Sequence, residues 1–254
     1  MKNKILTNNL SLLICCSLLF ILFTAFKSAC NLGKSTLQKK VLIFSKTNGY
    51  RHESIPFGIA AIKKLGEANN FLVDDTEDSL AINDEKLKQY QAIIFLSTTG
   101  KVLGTNEELA LQKFIQKGGG FAGIHAATDC EYNWPWYVKM VGASFESHPQ
   151  QQTAKLVIVD STHLATKMLP AIWERKDEWY NFKDMNPAVN VLITIDETSY
   201  TGGKNGTNHP MAWYHQYDGG KVFYSELGHT NESYIEPLFL QHILGGIQYV
   251  LGFK

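Results

Sequence analysis

Cysteine is scarce in this sequence, and where it falls excludes a disulfide-stapled fold. Of four cysteines, Cys15, Cys16 and Cys30 lie in or just after an apolar N-terminal stretch, and Cys130 stands alone in the body. The body therefore has no internal disulfide framework and must rest on a hydrophobic core. Charge of one sign is missing too. Lys and Arg number 24 against 24 Asp and Glu, which argues against a basic surface for nucleic acid. There is no Pro/Ser-rich linker, acidic tail or low-complexity tract, and no repeat with a period of roughly 20–50 residues. With 44% hydrophobic residues in 254, the composition is that of one folded domain or a tight pair, not of a disordered chain.

Long apolar runs are absent but for one. Lys2 and Lys4 precede apolar residues 10–26, the order of an export signal, so residues 1–29 are set apart from the fold. The rest carries 21 basic and 24 acidic side chains, net −3. The segment ends Lys27-Ser28-Ala29-Cys30, which resembles a bacterial lipobox, where the cysteine is lipidated. The expectation is an exported protein, periplasmic or membrane-tethered through Cys30. Residues 30–39 would be a short tether and 40–254 the folded domain. Free secretion and an uncleaved anchor are the alternatives. No other membrane contact is expected.

The body alternates strands with helices. Residues 41–47, 71–74, 91–98 and 121–125 read as strands. Helices are expected over 54–69, 84–90 and 106–117, the first capped by Ser54 with Pro56 in its first turn. This βαβ order implies a parallel sheet with helices on both faces. The second half is richer in strands: 156–160, 171–182 and 189–196, then a hairpin of 211–217 and 221–227. A helix over 234–251 closes the chain. The fold class is thus α/β, a three-layer parallel sheet with an antiparallel extension in the second half.

Two common signatures are missing. Gly118-Gly119-Gly120 precedes its strand, whereas a dinucleotide fingerprint follows one and opens a helix, so no NAD is expected. No H-E-x-x-H or similar close-spaced ligand pair occurs. What is present is a gathering of polar residues at strand ends. His52 follows the first strand, His125 ends the fourth and runs into Asp129, and His229 follows the last hairpin strand. In open parallel sheets ligands bind outside the carboxyl ends of the strands, where the strand order reverses. Three histidines at that edge point to a shared polar pocket.

The runs KTNGYRHESIPFG, GGGFAGIHAATD, SHP (Ser147–Pro149), DEWYNF (Asp177–Phe182) and VFYSELGHT (Val222–Thr230) resemble the ThuA-like, trehalose-utilisation family, in family order and over residues 40–252. The resemblance implies a class I glutamine-amidotransferase-like, flavodoxin-related fold and a context of sugar utilisation, including oxidised keto-sugars. It also permits an exclusion. Amidotransferases of this superfold carry a nucleophilic Cys in a G-x-C-x-G elbow after a strand. Here the elbow reads Gly123-Ile124-His125-Ala126-Ala127, and Cys130 lies five residues on. Glutaminase chemistry needs a thiolate beside its base, so that activity is not expected.

The histidines have two chemical readings. Neutral imidazoles suit a divalent metal such as Zn or Mn, with His52, His125, His148 and His229 as candidate ligands and Asp129 or Glu178 as carboxylate partners. Alternatively His125 and His229, with Asp129, do metal-free acid/base work on a sugar carbon or glycosidic oxygen. For the sugar itself, aromatic faces and polar side chains are wanted. Arg51, His52, Trp134, Trp136, Glu178, Tyr180 and Trp213 are the candidates. The reading is a carbohydrate-processing enzyme acting on a sugar or glycoside, with a partner sugar oxidoreductase supplying any keto form. A non-catalytic carbohydrate-binding module of the same fold is the alternative.

Overall fold

The computed structural model describes residues 38–253; the expected export signal, Cys30 and most of the tether lie outside the described residues. The first half runs β1 (Lys39–Phe44), α1 (Ile55–Asn69), β2 (Phe71–Thr76), α2 (Asp84–Leu87), β3 (Ala92–Leu96), α3 (Thr105–Gln116) and β4 (Gly120–Ile124). The second half runs α4 (Pro135–Val141), β5 (Ser144–Ser147), β6 (Gln152–Ile158), β7 (Ile172–Asp177), β8 (Asn181–Lys183), β9 (Asn190–Ile195), β10 (His209–Tyr217), β11 (Gly220–Ser225) and α5 (Pro237–Val250).

Nine strands form one sheet in the order β2-β1-β3-β4-β11-β10-β9-β6-β7. The first five run parallel, and from β11 onward every pairing is antiparallel. The parallel strands β3 and β4 are buried at every position, because helices cover both faces of a parallel sheet and leave no polar side. Helix α1 packs beside α5, and α2 beside α3. At α5 the fit depends on glycine: a Cβ on Gly246 would stand 2.2 Å from the Phe223 ring. The antiparallel strand β7 alternates instead. Ile172, Glu174 and Lys176 face out while Trp173, Arg175 and Asp177 are buried. An inward arginine and aspartate at a strand end are not core residues by chemistry, and they return below.

Three expectations are corrected. The strand foreseen over 171–182 is two. β7 leaves the large sheet after Asp177, and β8 pairs with β5 in a separate two-stranded ladder. The break falls at Glu178. Helix α4 and strand β5 were not foreseen, being too short to show a period. Ser54 stands at the N-terminus of α1 without capping it. Its hydroxyl donates instead to the Gly228 carbonyl, 3.2 Å away, which ties α1 to the loop that carries His229.

Candidate functional site

The carboxyl ends of all five parallel strands lie along one edge, and the order reverses between β1 and β3. Along this edge three loops deliver histidines. His52 sits between β1 and α1, His125 follows β4 directly, and His229 follows β11. His125 has φ +53°, a left-handed conformation uncommon for a side-chain-bearing residue. The backbone turns sharply there, as the elbow pattern of residues 123–127 anticipates, and a fully buried imidazole rather than a thiol occupies the turn. Cys130 is buried elsewhere, and burial pushes its thiol up, away from the thiolate form a nucleophile needs. From the antiparallel half, the bend after β7 brings in Glu178.

The four side chains converge on a point. One donor atom from each of His52, His125, Glu178 and His229 lies within 4.8 Å of every other. His125 fixes the chemistry. Its Nδ1 is 2.7 Å from the Glu226 carbonyl oxygen, which can only accept, so Nδ1 carries a proton and the neutral ring presents a lone pair at Nε2. That lone pair faces His52 Nε2 at 3.1 Å, His229 Nδ1 at 3.2 Å and Glu178 Oε2 at 3.5 Å. Glu178 Oε2 is in turn 3.0 Å from His229 Nδ1. Donor atoms around a tetrahedral zinc, with bonds of about 2.0–2.1 Å, stand about 3.3 Å apart. The four separations bracket that distance. A carbonyl orienting a ligand imidazole from behind is also what metal sites use.

Electrostatics agree with the geometry. Burial, then the neighbouring His125 and His229, push the His52 imidazole down to about 2, so it stays neutral, the form that binds metal. Burial works against charge on Glu178. The neighbouring His125 and His229 outweigh that and hold its carboxyl well below the usual range. Burial likewise opposes a proton on His229, but the Glu178 bond and charge win and raise it. In chelator-treated protein, Glu178→Gln should lower the His229 midpoint, because the raising partner is gone. An NMR titration of the His229 ring reads this directly, and an unmoved midpoint refutes the pairing.

Other sequence candidates fall around or away from this centre. His148, 43% exposed, reaches Glu178 Oε1 at 3.1 Å from the solvent side and is not among the four convergent donors. The fourth donor is the Glu178 carboxylate, one of the two carboxylate partners expected, and His148 is left outside the set. Asp129 borders the cluster. It accepts from the Tyr132 hydroxyl, and burial holds its carboxyl above the ordinary range. Tyr180 walls the site, its ring 4.7 Å from that of His125.

Four expected sugar contacts have other partners. Arg51 gives two N–H bonds to Glu77, 2.7 and 3.1 Å, in an exposed pair. Trp136 donates to Asp218 in the β10–β11 turn, at the opposite end of β11 from His229, and Trp134 stacks on Trp136 at 4.9 Å. Trp213 is wholly buried and donates to the Val141 carbonyl. These tryptophans serve packing. The exposed aromatics beside the cluster are tyrosines: Tyr50 meets the His52 ring edge-on at 4.8 Å, and Tyr132 holds Asp129.

Sequence reasoning missed Glu226. It is fully buried next to the cluster, accepts from the Tyr180 N–H, and is pushed well up by burial, then by the Asp177 charge. An acid inside the apolar run VFYSEL was the available signal.

The residues from 40 to 250 match the family described as trehalose utilisation, ThuA. The chain belongs to the ThuA family. Its members act in carbohydrate utilisation, and that coarse role extends to this chain. No protein of curated function matches it in sequence. Among solved structures it is similar to a ThuA-like protein from Bacteroides uniformis ATCC 8492, 27% identical with a TM-score of 0.71. The match covers 84% of this chain and 91% of that one. A ThuA-like protein from Parabacteroides merdae ATCC 43184 shares the fold at 19% identity and a TM-score of 0.72, over 85% and 90% of the two chains. The fold also recurs within a β-galactosidase from Bacillus circulans, at 12% identity and a TM-score of 0.53, covering 85% of this chain and 31% of that enzyme. Among the described residues of this ThuA-family chain, no helix is long and apolar enough to cross a membrane.

Proposed function

We propose that this protein is an exported, metal-assisted enzyme acting on a sugar or glycoside, with a keto-sugar as the preferred substrate. His52, His125, His229 and Glu178 would hold one divalent cation of the zinc or manganese class. The observation that carries the reading is the His125 Nε2 lone pair, with its proton fixed on the far nitrogen and three further donors facing it. Three imidazoles and one carboxylate converging in this way make a donor set suited to such a cation. A cation held there would polarise a carbonyl or glycosidic oxygen of the sugar. Asp129, beside the cluster and partly desolvated, would take a proton from the carbon next to such a carbonyl and return it. His148 and Tyr50 line the approach, one for hydroxyl groups and one for an apolar sugar face. The reaction class is isomerisation, elimination or hydrolysis, and a partner sugar oxidoreductase would form the keto group beforehand.

The test is elemental analysis of the purified full chain by inductively coupled plasma mass spectrometry, without a polyhistidine tag and before any chelator. One equivalent of zinc or manganese is expected, lost in His52→Ala, together with metal-dependent turnover of the 3-keto form of trehalose. A protein that stays metal-free after Zn²⁺ and Mn²⁺ are added back, and leaves keto-sugars unchanged, overturns the reading in favour of a binding module.

A further inference from the structure

The role proposed above leaves one buried carboxylate unused. Asp177 is the last residue of β7 and is fully buried. Its Oδ1 accepts from the Glu178 N–H at 3.0 Å and the His229 N–H at 3.2 Å. Its Oδ2 accepts from the Gly228 N–H at 3.0 Å. Ser233 Oγ and the Arg175 guanidinium complete its surroundings at 3.4 and 3.1 Å. Arg175 is itself buried, lying over the Trp173 and Phe239 rings and reaching Ser233 and Glu236.

These contacts join two segments far apart in sequence. One carries Glu178 at the end of the antiparallel strand β7. The other carries His229 in the loop after the parallel strand β11. Gly228 has φ +116°, so this loop takes a course that few residues would hold unaided. β7 is also the far edge of the sheet from the parallel half. No ladder hydrogen bond therefore sets the distance between the two segments. A carboxylate taking three backbone N–H groups at once sets it instead, and the facing guanidinium makes a buried carboxylate tolerable.

We infer that Asp177 is the positioning residue of the metal centre, clamping the Glu178 and His229 backbones so that both donors meet His125. This rests on the metal reading above. Outer-sphere partners of metal ligands are typically worth about 10–100-fold in affinity. Asp177 grips the main chain of two ligands rather than one side chain, so the upper part of that range is expected.

The experiment compares the wild type with Asp177→Asn in the full chain, using Zn²⁺ competed against a chromophoric chelator and Co²⁺ as a spectroscopic probe. The asparagine keeps the shape but sets an NH₂ against backbone N–H groups. Zn²⁺ affinity should fall about 10–100-fold, with a shift in the Co²⁺ visible bands that marks altered ligand geometry. Ser233→Ala, which leaves the three backbone bonds in place, should change affinity less than about threefold, well short of that outer-sphere range. An Asp177→Asn protein with lowered stability but wild-type Zn²⁺ affinity and an unshifted Co²⁺ spectrum overturns the clamp, leaving Asp177 purely structural. If Asp177→Asn does not fold, Arg175→Lys takes its place. Weakened Zn²⁺ binding there supports the clamp and unchanged binding overturns it. A wild type that binds neither ion overturns the metal reading itself, and this assignment with it.

Discussion

His125→Ala is expected to lose the metal and all turnover while the protein stays folded. The imidazole contributes the lone pair on which the other three donors converge. Removing it takes away a direct ligand, so Zn²⁺ affinity should drop by more than the 10–100-fold that loss of an outer partner brings. The backbone must be considered as well. At φ +53° alanine is less at ease than asparagine, whose short polar side chain enters the left-handed region more readily. His125→Asn is therefore the companion variant, and both should show the same loss. Far-UV circular dichroism and urea unfolding report the fold; elemental analysis and keto-sugar turnover report the site. A folded variant with wild-type metal content or turnover would remove His125 from the centre. The same outcome would weaken Glu178 and His229 as ligands, since both are placed by their approach to Nε2.

How much of this was open to a reader of the sequence depends on how each residue is used. The strands β3 and β4 were legible because burial on both faces leaves continuous apolar runs, AIIFL and GFAGI. The three histidines were legible because strand-end position is a topological property, and β1, β4 and β11 could be ordered by pattern. Glu178 was visible as a rim residue and as one of two alternative carboxylate partners of the histidines. Nothing local announces that the chain bends after Asp177, since DEWYNF continues plausible strand composition, and the contacts of Asp177 there are all tertiary or with its near neighbours Arg175 and Glu178. The tryptophans failed for the opposite reason. Residue type made Trp134, Trp136 and Trp213 attractive for stacking sugars, but type does not say which way a ring faces. Trp213 turned inward to the Val141 carbonyl. Arg175 and Asp177 did leave a trace, as charges at inward positions of an alternating strand. Polar residues on the buried face of an amphipathic pattern are the ones a sequence reading should follow furthest.

Acid should destabilise the metal-free protein before ordinary carboxylates are protonated. The cause is the number of histidines folded in neutral form. His242 is fully buried, giving its Nδ1–H to the Ala165 carbonyl and accepting from Ser225 at Nε2, and burial lowers it from 6.5 to about 4. His52 is lowered further, and His163, His209 and His215 are lowered as well, burial being the first cause in each. The sign follows from proton counting. Below pH 6.5 the unfolded chain protonates these rings and the folded one does not, so stability falls as pH falls. It keeps falling until the folded value is reached, about 4 for His242. A single such ring takes up to about 1.4 kcal/mol per pH unit, or about 3 kcal/mol across this window. His52 adds to the loss in the same direction. Glu226, Asp129 and Glu131, whose carboxyls burial raises, slope the other way, and so does His229. Its raised value means that pairing with Glu178 stabilises at low pH and is lost as pH rises through the folded value, which offsets part of the loss. Urea unfolding in chelator at pH 7.5, 6 and 5 measures the net slope. His242→Gln can keep a donor and an acceptor without titrating, so it should flatten that slope by up to about 1.4 kcal/mol per pH unit. An unchanged slope would mean that His242 is not buried in neutral form. Because a metal needs the same neutral imidazoles, its release on acidification should run alongside this loss of stability.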